Sequence, residues 1–175
     1  MRFEDYMKDE YNLAIDGDME AAKSGIKYCI QKGIRIFGIG NGGSAYNVAH
    51  FVQDLNKVLG ANATSLSDNY GLVMAIANDI SYSEVFRYQL SNVKEPHILI
   101  AVSGSGNSDN ILQAVSNARS MKVPVLSFTG FDGGELAKIS NLNINVASNN
   151  MYAIESIHSL LFHFIIDSLS RELYQ

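Results

Sequence analysis

The chain has no tryptophan, two prolines and a single cysteine, Cys29, which excludes an internal disulfide. It contains no run of eighteen apolar residues, so we expect no transmembrane span. Its first ten residues mix acidic with hydrophobic side chains, which is not typical of a signal peptide. Together these absences predict a cytoplasmic protein with no membrane partner.

Positive charge is also scarce, with 13 lysines and arginines against 18 acidic residues and a net charge of −5. A chain this acidic lacks the electrostatic footprint of a direct nucleic-acid binder. Its 175 residues, 47% of them hydrophobic, are enough for one domain with a full core. Because no long linker interrupts the chain, we expect a single domain over 1–175, with a helical segment at 1–32 and an α/β core with a C-terminal helix at 33–175.

Apolar runs alternate with helical patterns along the chain. The runs are continuous, which is typical of strands buried on both faces of a parallel sheet. We therefore predict an α/β fold of three layers, in which helices cover both faces of a five-stranded parallel sheet. The predicted strands lie at 34–39, 61–67, 98–102, 123–128 and 143–146. The predicted helices lie at 1–32, with a break near 16–18, and at 43–59, 70–77, 82–93, 108–121, 133–139 and 150–173.

The last predicted helix is apolar around most of its circumference. A helix of that kind needs burial on several sides, which a chain of this size rarely supplies at its end. We therefore expect a homo-oligomer in which the N-terminal and C-terminal helices form contacts. The apolar residues of the last helix are Ile154, Ile157, Leu160, Leu161, Phe164, Ile165, Ile166 and Leu169.

Two glycine-rich turns each join an apolar run to a helical pattern. Residues 38–44 read Gly-Ile-Gly-Asn-Gly-Gly-Ser, and residues 103–108 read Ser-Gly-Ser-Gly-Asn-Ser. The backbone amides of such a turn point at whatever lies above the helix N-terminus, and that position favours an anion. Neither turn carries a P-loop lysine or the dinucleotide-binding fingerprint. The pair predicts a phosphate site, although a well-capped serine-rich turn also explains the second turn alone.

Several polar residues near these turns have more than one possible role. Ser108 is placed to cap the helix that follows it and to donate to a ligand. Asn41 and Ser44 could bind sugar hydroxyls as well as phosphate. Asn78 and Asp79 end a predicted helix, and turn formation explains them without a ligand.

Histidines and carboxylates recur at helical spacing in two places. His50 and Asp54 lie four residues apart and therefore share one helix face. The last helix offers Glu155, His158 and His163, of which the first and last lie about 12 Å apart along the axis. They can converge only by leaning together, unless one of them serves a neighbouring subunit. Two histidines and two carboxylates suit zinc or a similar divalent ion, whereas a surface hydrogen bond equally explains His50 and Asp54 alone.

Taken together, these motifs resemble the SIS (sugar isomerase) domain family, and within it the phosphoheptose isomerases. The resemblance covers nearly the whole chain in order and spacing. It implies a homotetramer with sites at subunit interfaces, a serine-rich loop for the substrate phosphate, and a metal that is often zinc. The motifs that carry it are 40–44, His50, Asp54, Asn78-Asp79, 103–108, 129–134, 154–158 and His163.

The resemblance also implies roles for individual residues. Substrate would be bound by Asn41, Gly42, Gly43, Ser44, Asp54, Asn78, Asp79, Ser103, Gly104, Ser105, Ser108 and Glu155, with Ser103, Ser105 and Ser108 on the phosphate. The metal-ligand positions are His50, Asp54, Glu155 and His163. Asp54 and His163 would also form the acid–base pair.

The implied reaction is the aldose–ketose isomerisation of sedoheptulose 7-phosphate to D-glycero-D-manno-heptose 7-phosphate through an enediol. Two alternatives remain open at this point. One is a non-catalytic module that binds a sugar phosphate to regulate, as in relatives that associate with the bacterial replication initiator. The other is an isomerase for another phosphosugar, such as a hexulose phosphate.

The chain departs from the family pattern at several positions. Asp54 stands where the family has Glu, Glu155 where it has Gln, and Gly104 where it has Thr. Residues 151–153, Met-Tyr-Ala, replace a Thr-x-Arg segment, and Ser156 replaces a Glu. The lost Thr and Arg favour the regulator, whereas the retained imidazoles and carboxylates favour the enzyme, because binding alone does not require them.

Overall fold

A computed structural model describes residues 2–11 and 15–174. The strands in these ranges are β1 (Ile15–Asp16), β2 (Arg35–Gly40), β3 (Ala63–Ser65), β4 (His97–Ser103), β5 (Val125–Gly130) and β6 (Leu142–Val146). The helices are α1 (Phe3–Tyr11), α2 (Met19–Lys32), α3 (Gly42–Leu59), α4 (Tyr70–Asp79), α5 (Val85–Leu90), α6 (Asp109–Ser120), α7 (Gly134–Ile139) and α8 (Met151–Tyr174). A 3₁₀ turn, Tyr82–Glu84, precedes α5, so the helix predicted at 82–93 is shorter and begins irregularly.

The strands form one sheet in the order β1-β6-β5-β4-β2-β3. The four pairings β2–β3, β2–β4, β4–β5 and β5–β6 are all parallel, which confirms the five predicted parallel strands and the α/β class. The helical segment predicted at 1–32 is interrupted near 16–18 as expected, but the interruption contains β1, a sixth strand that was not predicted and that pairs antiparallel with β6. Two residues are too few to show an alternating pattern, which is why the sequence gives no signal for β1. Residues 12–14, which belong to the helical segment predicted at 1–32, lie outside the described residues.

The strand order places the two glycine-rich turns side by side. From β2 the chain first moves to β3 at one edge, and it then returns to form β4 on the other side of β2. A sheet of this order has its switch point between β2 and β4, and ligands bind outside the carboxyl ends of the strands there. Gly40 pairs with Val102 at those ends, so residues 41–44 and 104–108 emerge next to each other.

Helices cover both faces of the sheet. On one face, α2, α3 and α8 bury a cluster in which Phe51 and Phe162 stack with ring centroids 4.5 Å apart. On the other face, α4, α5 and α6 bury Phe37, Phe86 and their neighbours. This packing fixes the starts of α3 and α8 against the carboxyl ends of the strands.

The C-terminal helix α8 is only partly covered by its own chain. Ile154, Ile165 and Leu169 are fully buried, whereas Leu160 is 60% exposed and Phe164 is 49% exposed. The expectation that terminal helices form oligomer contacts stays a prediction. Within the described ranges, no helix combines the length and the apolar character needed to cross a bilayer.

Candidate active site

One cavity of about 240 Å³ lies where the two turns meet. Its walls contain every residue predicted to bind substrate except Asp54, Asn78 and Asp79. The lining residues are Asn41, Gly42, Gly43, Ser44, Val102, Ser103, Gly104, Ser105, Ser108, Met151 and Glu155. The two motifs, about sixty residues apart in sequence, therefore form a single site at the switch point of the sheet.

The helices that point into this cavity begin without side-chain caps. Asn41 occupies the N-cap position of α3 and Ser108 that of α6, yet neither side chain makes a capping hydrogen bond. Asp18 and Asn69 do cap α2 and α4 with side-chain hydrogen bonds, whereas the short helices α5 and α7 also begin without one. Ser108 therefore takes the expected cap position of α6 but makes no capping bond there. Two uncapped helix starts leave backbone amides and a positive dipole end for an anion.

The second turn is held in shape by Asn107. Its backbone N–H donates to Ser105 Oγ at 3.2 Å, its side-chain amide donates to the Ser105 carbonyl at 3.0 Å, and its Oδ1 accepts from the Glu135 backbone at 3.1 Å. Gly106 has φ +64°, and a β-carbon there would overlap the carbonyl oxygen of Gly133. The serine hydroxyls thus sit on a loop that is braced against the start of α7.

Glu155 brings a carboxylate into the cavity. It lies one turn into α8, and its backbone carbonyl accepts a hydrogen bond from Asn47 Nδ2 at 2.8 Å. Its carboxylate occupies the space that a side chain at Gly43 would fill. The glycine at position 43 therefore gives room to a negative charge in a cavity whose other polar groups are amides and hydroxyls.

Three of the four predicted metal ligands come together on the outer faces of α3 and α8. Donor atoms of His50, Asp54 and His163 all lie within 4.8 Å of one another. His50 Nε2 is 3.5 Å from Asp54 Oδ2, and the two imidazole rings stand 5.1 Å apart, edge to face. Two imidazoles and a carboxylate are a donor set that fits zinc or a similar divalent ion. We call these three residues the His-Asp-His cluster.

The fourth predicted ligand, Glu155, lies apart from the His-Asp-His cluster. It contacts the first turn of α3, whereas His163 comes eight residues later along α8, about 12 Å further along the axis. Within one chain, the cavity at the two turns and the His-Asp-His cluster are therefore two separate sites. The spacing along the sequence left both convergence and separation open, and the structure separates Glu155 from the other three residues.

Asn78 and Asp79 lie outside the cavity. Both are exposed at the end of α4, where Asn78 Nδ2 donates to Asp79 Oδ1 at 2.8 Å. Their bonding to each other fits the turn-forming role that sequence spacing allowed. In this chain they do not join the residues around the two turns.

His158 is a structural residue. Its side chain is fully buried beside Phe128 and Phe162, and Nε2 lies 3.0 Å from the Thr129 carbonyl. Burial lowers the pKa of His158 from 6.5 to about 4, so the ring is neutral at pH 7 and donates its Nε2 proton to that carbonyl. The bond ties α8 to the end of β5, and His158 does not belong to the His-Asp-His cluster.

Two residues that sequence reasoning missed are Asn107 and Asn110. Asn110 is 2% exposed on α6 and bonds to the side chain of Asn41. A signal for it was available, because Asn110, Ala114 and Ala118 recur every four residues and all are buried. An amide at a core position of a helix indicates a specific polar partner.

Comparisons with known proteins show the family to which this chain belongs. The family model described as SIS domain matches residues 8–130, which include both turns. A phosphoheptose isomerase of Shewanella sp. (strain W3-18-1) is 32% identical, over 96% of this chain and 95% of that protein. The one from Shewanella denitrificans is 35% identical, over 92% and 87%. The solved phosphoheptose isomerase of Neisseria gonorrhoeae superposes with a TM-score of 0.81 at 28% identity, over 87% of this chain and 85% of that chain. The chain therefore belongs to the SIS domain family.

Proposed function

We propose that this chain is a phosphoheptose isomerase, which interconverts sedoheptulose 7-phosphate and D-glycero-D-manno-heptose 7-phosphate. The observation that carries the proposal is the convergence of two uncapped helix starts and three serines in one cavity. The relatives of that name match nearly the full length of the chain, which supports the same reaction here.

The phosphate group binds at the two turns. The hydroxyls of Ser103, Ser105 and Ser108 and the first backbone amides of α3 and α6 supply donors for its oxygens. Anchoring the far end of the sugar holds its C1 and C2 in one place, which makes the proton transfer effectively intramolecular.

The His-Asp-His cluster supplies the chemistry. Asp54 accepts the proton from the carbon next to the carbonyl and returns it to the neighbouring carbon, while His163 moves the hydroxyl proton between O1 and O2. A divalent ion, for which we propose zinc, would be held by His50, Asp54 and His163 and would polarise the carbonyl when bound. The carboxylate of Asp54 has two oxygens, so one can face His50 while the other takes the proton.

We further propose that the cluster of one subunit serves the cavity of another within a cytoplasmic homotetramer. The cluster is about two helical turns from Glu155 in its own chain, and it lies on a solvent-facing surface. The same surface carries apolar side chains with no cover, including Tyr46 at 81% exposure and Tyr152 at 77%. Docking of a second copy there would bury these rings and bring the cluster to a phosphate site.

The alternative that this chain is a non-catalytic regulator is less well supported. A module that only binds a sugar phosphate has no use for two imidazoles and a carboxylate within 4.8 Å of one another. An isomerase for another phosphosugar would use the same machinery, so a substrate panel decides between heptose and hexose phosphates.

The test is turnover of purified protein with sedoheptulose 7-phosphate in deuterated water. Because substrate and product have equal mass, product identity is read by NMR, which also detects deuterium taken up at carbon through the enediol. Asp54→Asn is expected to abolish turnover and leave the melting temperature unchanged, whereas the exposed Asp167→Asn is expected to behave as wild type. Wild-type turnover by Asp54→Asn would refute the proposed role of Asp54.

A further inference from the structure

A pair of asparagine side chains bridges the two turns. Asn41 Nδ2 donates to Asn110 Oδ1 at 2.8 Å, and Asn110 Nδ2 donates to Asn41 Oδ1 at 2.9 Å. Asn41 precedes α3 and Asn110 is the second residue of α6. The two bonds therefore join the starts of the helices that form the cavity.

A polar side chain at position 110 is energetically unfavourable unless its hydrogen bonds to Asn41 are formed. The side chain is 2% exposed, and its neighbours Ile111 and Ala114 are fully buried. An apolar residue would suit a buried helical site better, and a buried amide costs free energy when its atoms lack partners. Both polar atoms of Asn110 are bonded to Asn41, so its partner is the ligand-binding turn itself.

The hydrogen bonds also determine what Asn41 can offer a ligand. Its Oδ1 accepts from Asn110 and from the Tyr82 hydroxyl, which lies 2.9 Å away. An amide oxygen has two lone pairs, so both are used. Its Nδ2 carries two hydrogens, one of which goes to Asn110. The remaining N–H is the polar capacity left on this side chain.

We propose that Asn110 is a positioning residue, which orients Asn41 so that it presents one N–H donor to the sugar and holds the two phosphate-binding turns at a fixed separation. This rests on the proposed function, in which a sugar phosphate fills the cavity. The substrate atom opposite Asn41 must then be a hydrogen-bond acceptor, such as a carbonyl, enediolate or phosphate oxygen. Tyr82 supports the same orientation through its own hydrogen bond to Asn41 Oδ1.

A double-mutant cycle tests this role. Asn110→Ala is expected to lower kcat/KM about 10- to 100-fold, because a loosened Asn41 no longer points its donor at the substrate. Since Asn110 acts through Asn41, adding Asn110→Ala to Asn41→Ala is expected to cause no further loss. Tyr82→Phe, at an exposed position, is expected to cost about 2- to 10-fold. Asn117→Ala, at a half-buried position further along the same helix where the amide bonds to Met121, is the control and is expected to match wild type.

The readouts separate positioning from folding and from the reaction. Should Asn110→Ala not fold, Asn110→Asp keeps the bond from Asn41 Nδ2 and removes the donor to Asn41 Oδ1, so it carries the same test with Tyr82→Phe. Calorimetry with inorganic phosphate repeats the cycle without turnover. Absence of turnover in the wild type would overturn the proposed reaction, and the phosphate cycle would still decide the role of Asn110. The positioning role would be overturned if the losses of Asn110→Ala and Asn41→Ala were additive in the double mutant. It would also be overturned if Asn110→Ala kept wild-type kcat/KM and phosphate affinity.

Discussion

Glu155 places a negative charge in a cavity built to hold an anion, and Glu155→Gln measures the effect of that charge. The side chain shares the cavity walls with Ser103, Ser105 and Ser108. Glutamine has nearly the same shape and is the residue that the family pattern has at this position. The exchange therefore removes the charge and leaves the space beside Gly43 filled.

The size of the cavity determines how strongly the Glu155 carboxylate repels a bound anion. A volume of about 240 Å³, taken as a sphere, is roughly 8 Å across. Two unit charges at that separation repel by about 0.5 kcal/mol at a dielectric constant near 80 and by about 2 kcal/mol near 20. Glu155→Gln is therefore expected to tighten phosphate binding by about 2- to 30-fold for each unit of phosphate charge.

The assay is calorimetric titration with inorganic phosphate in the presence of a chelator, because a bound cation would screen the carboxylate. The difference between the proteins should shrink as salt is added. Glu95→Gln makes the same charge change at the opposite end of the sheet, where Glu95 pairs with Arg35 at 2.8 Å, and it should leave phosphate affinity unchanged. Equal or weaker binding by Glu155→Gln would refute the placement of this charge beside the anion.

Three further predictions concern stability and metal binding. His158 stays neutral in the folded chain, so the free energy of unfolding should fall by up to about 3 kcal/mol as the pH drops from 6.5 towards about 4. Denaturant titrations should show no such loss for His158→Gln. An equal acid loss in both proteins would contradict it. Gly106→Ala should destabilise the fold by about 1–3 kcal/mol, read from thermal unfolding, because of its positive φ and the contact with Gly133. An unchanged melting temperature would argue against that geometry. His50→Ala should weaken zinc binding more than tenfold in a competition titration, and unchanged affinity would remove the cluster as a metal site.

Much of the fold could be predicted because its signals are local. The strands β2, β4 and β5 are largely apolar runs, and the two turns that follow β2 and β4 are rich in glycine and serine. The alternation of strands and helices then implies a parallel sheet. What the local pattern leaves open is the lateral order of the strands, which decides that the two turns meet.

The misses share a physical cause. Ser108 has the right residue type and position for a cap, but its hydroxyl is left without a capping bond at the cavity. Asn110 is polar on an otherwise apolar helix face, and its reason is a residue 69 positions earlier. β1 is held in place by its pairing with β6. In each case the outcome depends on something outside the local segment, which is a distant partner for Asn110 and β1 and the cavity for Ser108, and spacing along the chain does not identify it.

The sheet ends in very short strands at both edges, with two residues in β1 and three in β3. Few unpaired backbone groups are therefore available to a strand from another molecule, which is a known protection against aggregation. Growth of the sheet from one copy to the next is disfavoured, and the proposed assembly would use the helical surfaces where Tyr46, Tyr152 and Leu160 are exposed. An insertion that lengthened β3 would remove this protection and favour fibre-like pairing over a closed assembly.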